Sequence, residues 1–123
     1  MKNSKLTMII GIVAFVLILF VIKYSDLMLT KNGVLLNAKT LQWGISAKMG
    51  MDLHYEFFYN RKRYTSNNTF YKIRGLREFE NKYFPVMYDP KMGSSQLLLY
   101  PLDFKRFNLP FPDSLKWVLQ YLN

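Results

Sequence analysis

The sequence contains no cysteine and only one histidine in 123 residues. The lack of cysteine excludes disulfide bonds, thiolate zinc sites, a lipidated N-terminal cysteine and a cysteine nucleophile. The single histidine leaves no set of imidazoles for a hydrolytic zinc site. A glycine-rich phosphate loop and a G-x-S-x-G nucleophile elbow are absent as well. We therefore expect no enzyme, no cofactor and no catalytic or metal site.

Acidic residues are also scarce, since eight Asp and Glu face 17 Lys and Arg, for a formal net charge of +9. This excess favours anionic partners such as lipid headgroups, acidic proteins, nucleic acid or polymers. The alternative is that the charge serves solubility alone. Aromatic residues are abundant, with ten Phe, nine Tyr and two Trp. They can bury enough surface for one compact domain after the N-terminal apolar stretch.

That stretch is the run LTMIIGIVAFVLILFVI over residues 6–22, which carries no charge. At 1.5 Å per residue it spans roughly 25 Å, near the lower limit for a bilayer core. A core helix of a soluble protein would have a polar stripe, and this run has none. The run predicts a transmembrane helix, which we expect to meet lipid through Leu6, Ile10, Phe15, Leu19 and Ile22.

A cleaved signal peptide is the competing interpretation, because Lys2 and Lys5 before an apolar run are also typical of secretory signals. However, the run exceeds the usual length of about 7–15 residues, and no A-x-A-like pair of small residues follows it. We therefore expect a retained signal anchor. The lysines of the short tail favour a cytoplasmic N-terminus, with the domain on the outer side of the membrane. The expected organisation is an anchor and stalk over residues 1–29 and a small basic strand-rich domain over residues 30–123.

The clearest strand pattern covers residues 51–59, where odd positions are apolar or aromatic and positions 52, 54 and 56 are polar. Such a period of two predicts a half-buried antiparallel strand. A turn at 60–63 and a returning strand at 64–73 follow. Further strands are predicted at 34–45, 84–88 and 96–100, with a short helix within 76–83 and irregular chain between the prolines at 101 and 112.

The C-terminal segment predicts a helix, which Asp113 or Ser114 can cap. Its apolar stripe is made by Leu115, Val118, Leu119 and Leu122. We expect Trp117 and Tyr121 to pack in the core. The predicted fold class is a single transmembrane helix plus a small α+β domain, mainly antiparallel β, with a C-terminal helix.

One run of residues resembles a known pattern. It comprises Tyr55, Phe57, Tyr59, Asn60, Lys62 and Tyr64, then Val86, Tyr88-Asp89-Pro90, Ser94 or Ser95, and Leu97. Over about residues 50–100 this pattern resembles an uncharacterised family of small bacterial membrane-associated strand-rich domains. The chain departs from it at Arg61 and at Met92-Gly93. The resemblance implies a bacterial envelope protein with a strand-rich domain beside a membrane helix, and it brings no catalytic residues.

Six cations without an intervening acid lie between residues 61 and 77, interleaved with Tyr64, Phe70 and Tyr71. They are Arg61, Lys62, Arg63, Lys72, Arg74 and Arg77. Basic and aromatic residues together are typical of nucleic-acid binding in a soluble protein. Because this domain follows a membrane anchor, we expect its partner to be an anionic lipid surface or an acidic protein, and not a nucleic acid. The alternative is a cationic hairpin that simply faces water.

Asp52, His54 and Glu56 occupy alternate positions of the predicted strand and therefore share one face of it. A carboxylate–imidazole–carboxylate cluster could bind a divalent metal, which would make the chain a small metal-dependent enzyme. We expect a solvated strand face here instead, because the opposite face supplies the core.

The leading hypothesis is a membrane-anchored, non-enzymatic interaction module of the bacterial envelope. Examples are an accessory subunit of a membrane complex or an immunity-type protein. The expected partners are membrane lipid and a protein of the membrane or envelope. The alternative is a binder of anionic lipid or polymer through the basic hairpin, and the metal-dependent enzyme comes third.

Overall fold

A computed structural model describes residues 2–122 of the chain, except the side chains of Lys2, Ile22 and Ser25. Its first element is a single α-helix, α1 (Lys2–Asn32). Its 31 residues extend over about 46 Å. Leu6, Ile10, Phe15 and Leu19 are all exposed to a similar degree, whichever side of the helix they occupy. Length and composition make α1 able to cross a membrane, and they also fit a signal sequence near the N-terminus.

Five antiparallel strands follow, and they form one sheet in the order β3-β2-β1-β4-β5. Their bounds are β1 (Val34–Ile45), β2 (Met51–Tyr59), β3 (Lys62–Phe70), β4 (Tyr83–Tyr88) and β5 (Ser95–Leu97). With the apolar helix before it and a short helix at its C-terminal side, the sheet confirms the predicted elements of the fold class.

The β2–β3 hairpin confirms the strand pattern of residues 51–59, because Leu53, Tyr55 and Phe57 are buried. The turn, however, is shorter than predicted and consists of Asn60 and Arg61, with φ values of 49° and 65°. A two-residue turn with two positive φ angles matches the twist of the flanking strands. Strand β3 therefore begins at Lys62 and ends at Phe70, and the predicted strand at 64–73 was placed too late.

The sheet curls until its two edge strands meet. The Asn68 side chain on β3 accepts a hydrogen bond from the Leu97 N–H at 2.8 Å and donates one to the Ser95 carbonyl at 3.2 Å. Beside it, the Tyr55 hydroxyl lies 2.6 Å from the Ser95 Oγ. Thus one amide side chain takes the place of a strand backbone and closes the curled sheet against β5.

Two aromatic clusters fill the concave side. The first gathers around Phe57, whose ring centroid lies 4.9 Å from that of Tyr88 and 5.7 Å from that of Tyr64. The second gathers around Phe79, whose ring lies 5.3 Å from Trp117 and 6.1 Å from Phe84. Because aromatic residues bury large areas, these clusters compensate for the small size of the domain.

The remaining elements correct several predicted bounds. The helix expected within 76–83 is a 3₁₀ helix (Leu76–Phe79), and Tyr83 already belongs to β4. The strand expected at 96–100 spans only Ser95–Leu97. The C-terminal helix (Asp113–Tyr121) is 3₁₀ rather than α, with Pro112 at its N-cap position. It buries Leu115 and Val118, leaves Leu119 exposed, and packs Trp117 and Tyr121 against the core as predicted.

The region between the prolines was predicted to be irregular, and this prediction was wrong. It contains a second α-helix, α2 (Pro101–Arg106). Pro101 occupies the first turn, where its missing N–H costs nothing. The Asp103 carboxylate accepts hydrogen bonds from the N–H groups of Leu99 and Tyr100 at 3.1 and 2.9 Å. Proline here starts a helix instead of preventing one.

The adjacent phenylalanines of β2 allow a matched test of the sheet register. Phe57 is 2% exposed and Phe58 is 60% exposed. We expect Phe57→Ala to lower the free energy of unfolding by about 3–5 kcal/mol, because it empties a filled site, and Phe58→Ala by under about 0.5 kcal/mol. Denaturant unfolding of the two variants measures the difference, and equal losses would show that the register is wrong.

Candidate interaction surfaces

The last turns of α1 dock onto the sheet. Leu29 is only 3% exposed, although the helix before it is exposed on all sides. At Gly33 an added Cβ would lie 2.4 Å from the Leu29 carbonyl oxygen and 2.7 Å from the Met87 Cε. Only glycine fits this approach of helix, turn and sheet. The helix ends at Asn32, and the close approach at Gly33 restricts the direction in which α1 leaves the domain.

An ion pair joins α1 to α2, since the Arg106 Nη2 lies 3.3 Å from the Asp26 Oδ1. The Arg106 side chain is 38% exposed and the Asp26 side chain 66%, so water screens the pair and it contributes at most about 1 kcal/mol. The main effect of the ion pair is to fix the position of α2 relative to α1. Asp26 lies four residues beyond the apolar run, which is about 6 Å along the helix axis. The C-terminal end of α2 is therefore held beside α1 about one turn past the run.

Helix α2 presents two different faces. Phe104 is buried, and Asp103 is turned inward to the backbone N–H groups that it caps. Burial raises the pKa of the Asp103 carboxyl, and the hydrogen bonds from Tyr100 and Leu99 partly counteract this. On the outside, Leu102 is 74% exposed, and Lys105 follows three residues later on the same side of the helix. This face is cationic and apolar at once.

The six cations predicted as one patch fall into two groups at opposite ends of β3. Arg61, Lys62 and Arg63 lie at the hairpin tip, while the other three, Lys72, Arg74 and Arg77, follow its far end. A nine-residue strand separates the groups by about 27 Å. The structure therefore does not bring the six side chains together.

Within each group, some cations have structural partners. The Arg63 Nη2 lies 2.6 Å from the Glu56 Oε2, and Arg74 donates from Nη2 to the Gln120 carbonyl at 2.7 Å. Among residues 2–122, no ion pair involves Arg61 or Lys62, both exposed. Lys62 does lie over the Tyr64 ring, with its Nζ 5.4 Å from the centroid. The hairpin tip is thus the part of the predicted patch that offers charge to a partner.

Asp52, His54 and Glu56 share the convex face of β2, as predicted. The Asp52 carboxylate accepts a hydrogen bond from the Thr69 hydroxyl, and Glu56 is paired with Arg63. Within the described part of the chain, no three His, Cys, Asp or Glu side chains are grouped so that they could hold a metal ion.

A pocket of about 280 Å³ opens beside the start of α2. Its lining is mostly apolar and comprises Tyr71, Lys72, Tyr100, Pro101, Leu102 and Leu122. The Tyr100 hydroxyl donates to the Tyr71 carbonyl at 2.8 Å, and burial raises the pKa of Tyr100 to about 12. The hydrogen bond ties Tyr100 to the backbone of Tyr71 across the wall of the pocket. The pocket was not predicted, because its lining joins residues that lie far apart in the sequence.

Comparison of the chain with family models, with curated proteins and with solved structures found no match in any of the three. The resemblance over about residues 50–100 stays a prediction.

Two glycines test the docking of α1. At Gly33 a methyl group would meet backbone, whereas at Gly11 nothing lies within 4 Å of the added Cβ. We expect Gly33→Ala to destabilise the domain by about 1–3 kcal/mol, since the packing cannot relax without moving the helix. Gly11→Ala should leave the domain unchanged, because alanine is at least as good in a helix. Thermal unfolding of the two detergent-solubilised variants gives the comparison, and equal midpoints would contradict close packing at Gly33.

Proposed function

We propose that the chain is a single-pass membrane protein whose domain is a non-enzymatic interaction module of the bacterial envelope. The exposed apolar run of α1, joined without a break to the docked end of the helix, carries this proposal. Such exposure in water would be costly, at roughly 25 cal/mol for each Å² of apolar surface, and a bilayer removes that cost.

Several features support retention of α1 rather than its removal. Leu29 packs into the core, and Asp26 is paired with Arg106. Cleavage within the usual range of about 15–30 residues would remove part of this docked segment or leave it without its helix. The N-terminus lies in the cytoplasm and the domain lies outside, as the two lysines of the tail favour.

The docked junction suits an interaction module in particular. A domain on a flexible stalk can turn any surface to the membrane, whereas packing at Leu29 and Gly33 restricts the orientations that this domain can take. Its surfaces are therefore presented to neighbours in the membrane within a limited range of orientations, which reduces the cost of association. An accessory subunit of a membrane complex or an immunity-type protein would use such an arrangement.

Retention is tested by expressing the full chain in bacteria and fractionating the cells. We expect the protein in the membrane fraction, with an intact mass that includes residues 1–29. A soluble product, or one shortened by about 15–30 residues, would show that α1 is a cleaved signal.

A second candidate function is the binding of an anionic lipid or polymer through the hairpin tip. The observation that favours it is the exposed pair Arg61 and Lys62, which have no acidic partner within residues 2–122. Cations at a tight turn project from the sheet and carry little packing, so they can meet an anionic surface without deformation of the domain.

This candidate is tested by replacing Arg61, Lys62 and Arg63 together with Gln. The full chain in neutral nanodiscs is mixed with anionic vesicles or with polyglutamate, and co-sedimentation is measured. We expect the triple variant to bind more weakly, and about 0.5 M salt to weaken wild-type binding, because screening shortens charge interactions to a few ångströms. A matched control replaces three exposed cations elsewhere, Lys48, Arg77 and Lys116.

The control variant removes the same charge and should keep its binding if the tip is the binding surface. Equal losses in both triple variants would make the interaction a matter of net charge only. The leading proposal is tested by capturing proteins from solubilised bacterial membranes with the wild-type chain and the two triple variants. Binding of a specific protein partner should survive 0.5 M salt when its interface is mainly aromatic.

A further inference from the structure

We propose that α2 and the pocket beside it form a second membrane contact, which binds the anionic phospholipid of the bilayer that α1 crosses. This inference rests on the proposed membrane span. It differs from the proposal that the hairpin tip binds an anionic surface. Here the side of the domain that faces lipid comprises Leu102, Lys105 and the part of the pocket next to Lys72.

Helical rise supplies the first argument. The headgroup layer of one leaflet is about 5–8 Å thick. Arg106 is bound to Asp26, about 6 Å past the end of the apolar run, so the end of α2 lies at the level of the headgroups. Gly33 lies eleven residues past the run, or about 16 Å along the axis. Strand β1 begins there, and the hairpin tip lies beside the start of β1.

The chemistry of the outer face of α2 supplies the second argument. An interfacial helix combines cations for phosphates with apolar side chains for the acyl boundary. Leu102 is 74% exposed, and Lys105 is its neighbour one turn later. Arg106 keeps more than a third of its side chain exposed despite its ion pair. Positive charge and exposed apolar surface therefore occur together on the outer face of α2.

The pocket continues this surface. Leu102 belongs both to the outer face of α2 and to the lining of the pocket, where it meets Tyr71 and Leu122. Lys72 stands at the same pocket and supplies a further cation. A space of about 280 Å³ with apolar walls can take part of an acyl chain while Lys72 in its lining meets the phosphate. One phospholipid class, an anionic glycerophospholipid, fits this combination of groups.

The absence of cysteine makes the test direct, because one introduced cysteine takes one label. Leu102→Cys, Asn60→Cys and Phe15→Cys are each labelled with an environment-sensitive fluorophore in the full chain. The proteins are reconstituted in nanodiscs of phosphatidylglycerol and phosphatidylcholine, with and without nitroxide-labelled lipid. We expect quenching at position 102 by headgroup nitroxides, quenching at position 15 by acyl-chain nitroxides, and no quenching at the hairpin position 60.

The three positions separate the two proposals. An unquenched label at position 15 would overturn the membrane span itself. Quenching at 15 without quenching at 102, or stronger quenching at 60 than at 102, would overturn the contact through α2 alone. If the label at 102 disturbs folding, judged by circular dichroism, Lys105→Cys reports from the same face.

The charge requirement has its own readout in the Leu102→Cys background. Lys105→Gln should shift the docked fraction, measured as quenching at position 102, toward the undocked state by about fivefold. In nanodiscs of pure phosphatidylcholine, the chain that keeps Lys105 should show the same shift toward the undocked state. Lys116→Gln, on the C-terminal 3₁₀ helix, is the matched control and should have no effect. Quenching that depends neither on Lys105 nor on anionic lipid would overturn the proposal.

Discussion

The docking of α1 onto the sheet is the contact on which the arrangement of this protein depends. A long apolar helix and a small sheet could be joined by a flexible segment, but here Leu29 is buried and Gly33 admits no side chain between helix, turn and Met87. Burial of one leucine contributes only about 1.5–3 kcal/mol. Its larger effect is geometric. Because the domain contacts α1, the position of a residue along α1 determines how far from the membrane the contacting part of the domain lies.

That geometry separates two kinds of surface that look alike in the sequence. The hairpin tip and the end of α2 are both basic and both exposed, but Arg106 at the end of α2 is paired with Asp26, four residues past the apolar run. Charge alone does not distinguish a lipid-facing cation from one that faces a protein or polymer. Distance from the hydrocarbon boundary does, since headgroup potentials fall off within about a Debye length, roughly 8–10 Å.

Much of the fold could be predicted from local patterns, and the exceptions have identifiable causes. The alternation in residues 51–59 predicted β2, because one face of that strand meets the core and the other meets water. The turn was placed over four residues because Arg61 gave no sign that it would adopt a positive φ, which is uncommon for a long side chain. Helix α2 was missed because Pro101 was interpreted as a breaker, although proline followed two residues later by Asp103 also fits a helix start. The pocket and the ion pair with Asp26 could not be predicted, since both join residues far apart in the sequence.

The closure of the sheet by Asn68 has a consequence for the order of folding. Backbone ladders between neighbouring strands extend one pair at a time from a turn, as in the β2–β3 hairpin. The contact of Asn68 with Ser95 and Leu97 has no such starting point, because 29 residues separate Asn68 from Leu97 and no ladder joins β3 to β5. It can form only when both edges of the sheet already stand in their final positions. Closure is therefore a late event in folding, and until it occurs the buried Leu97 N–H and the edge of β3 remain open to other chains.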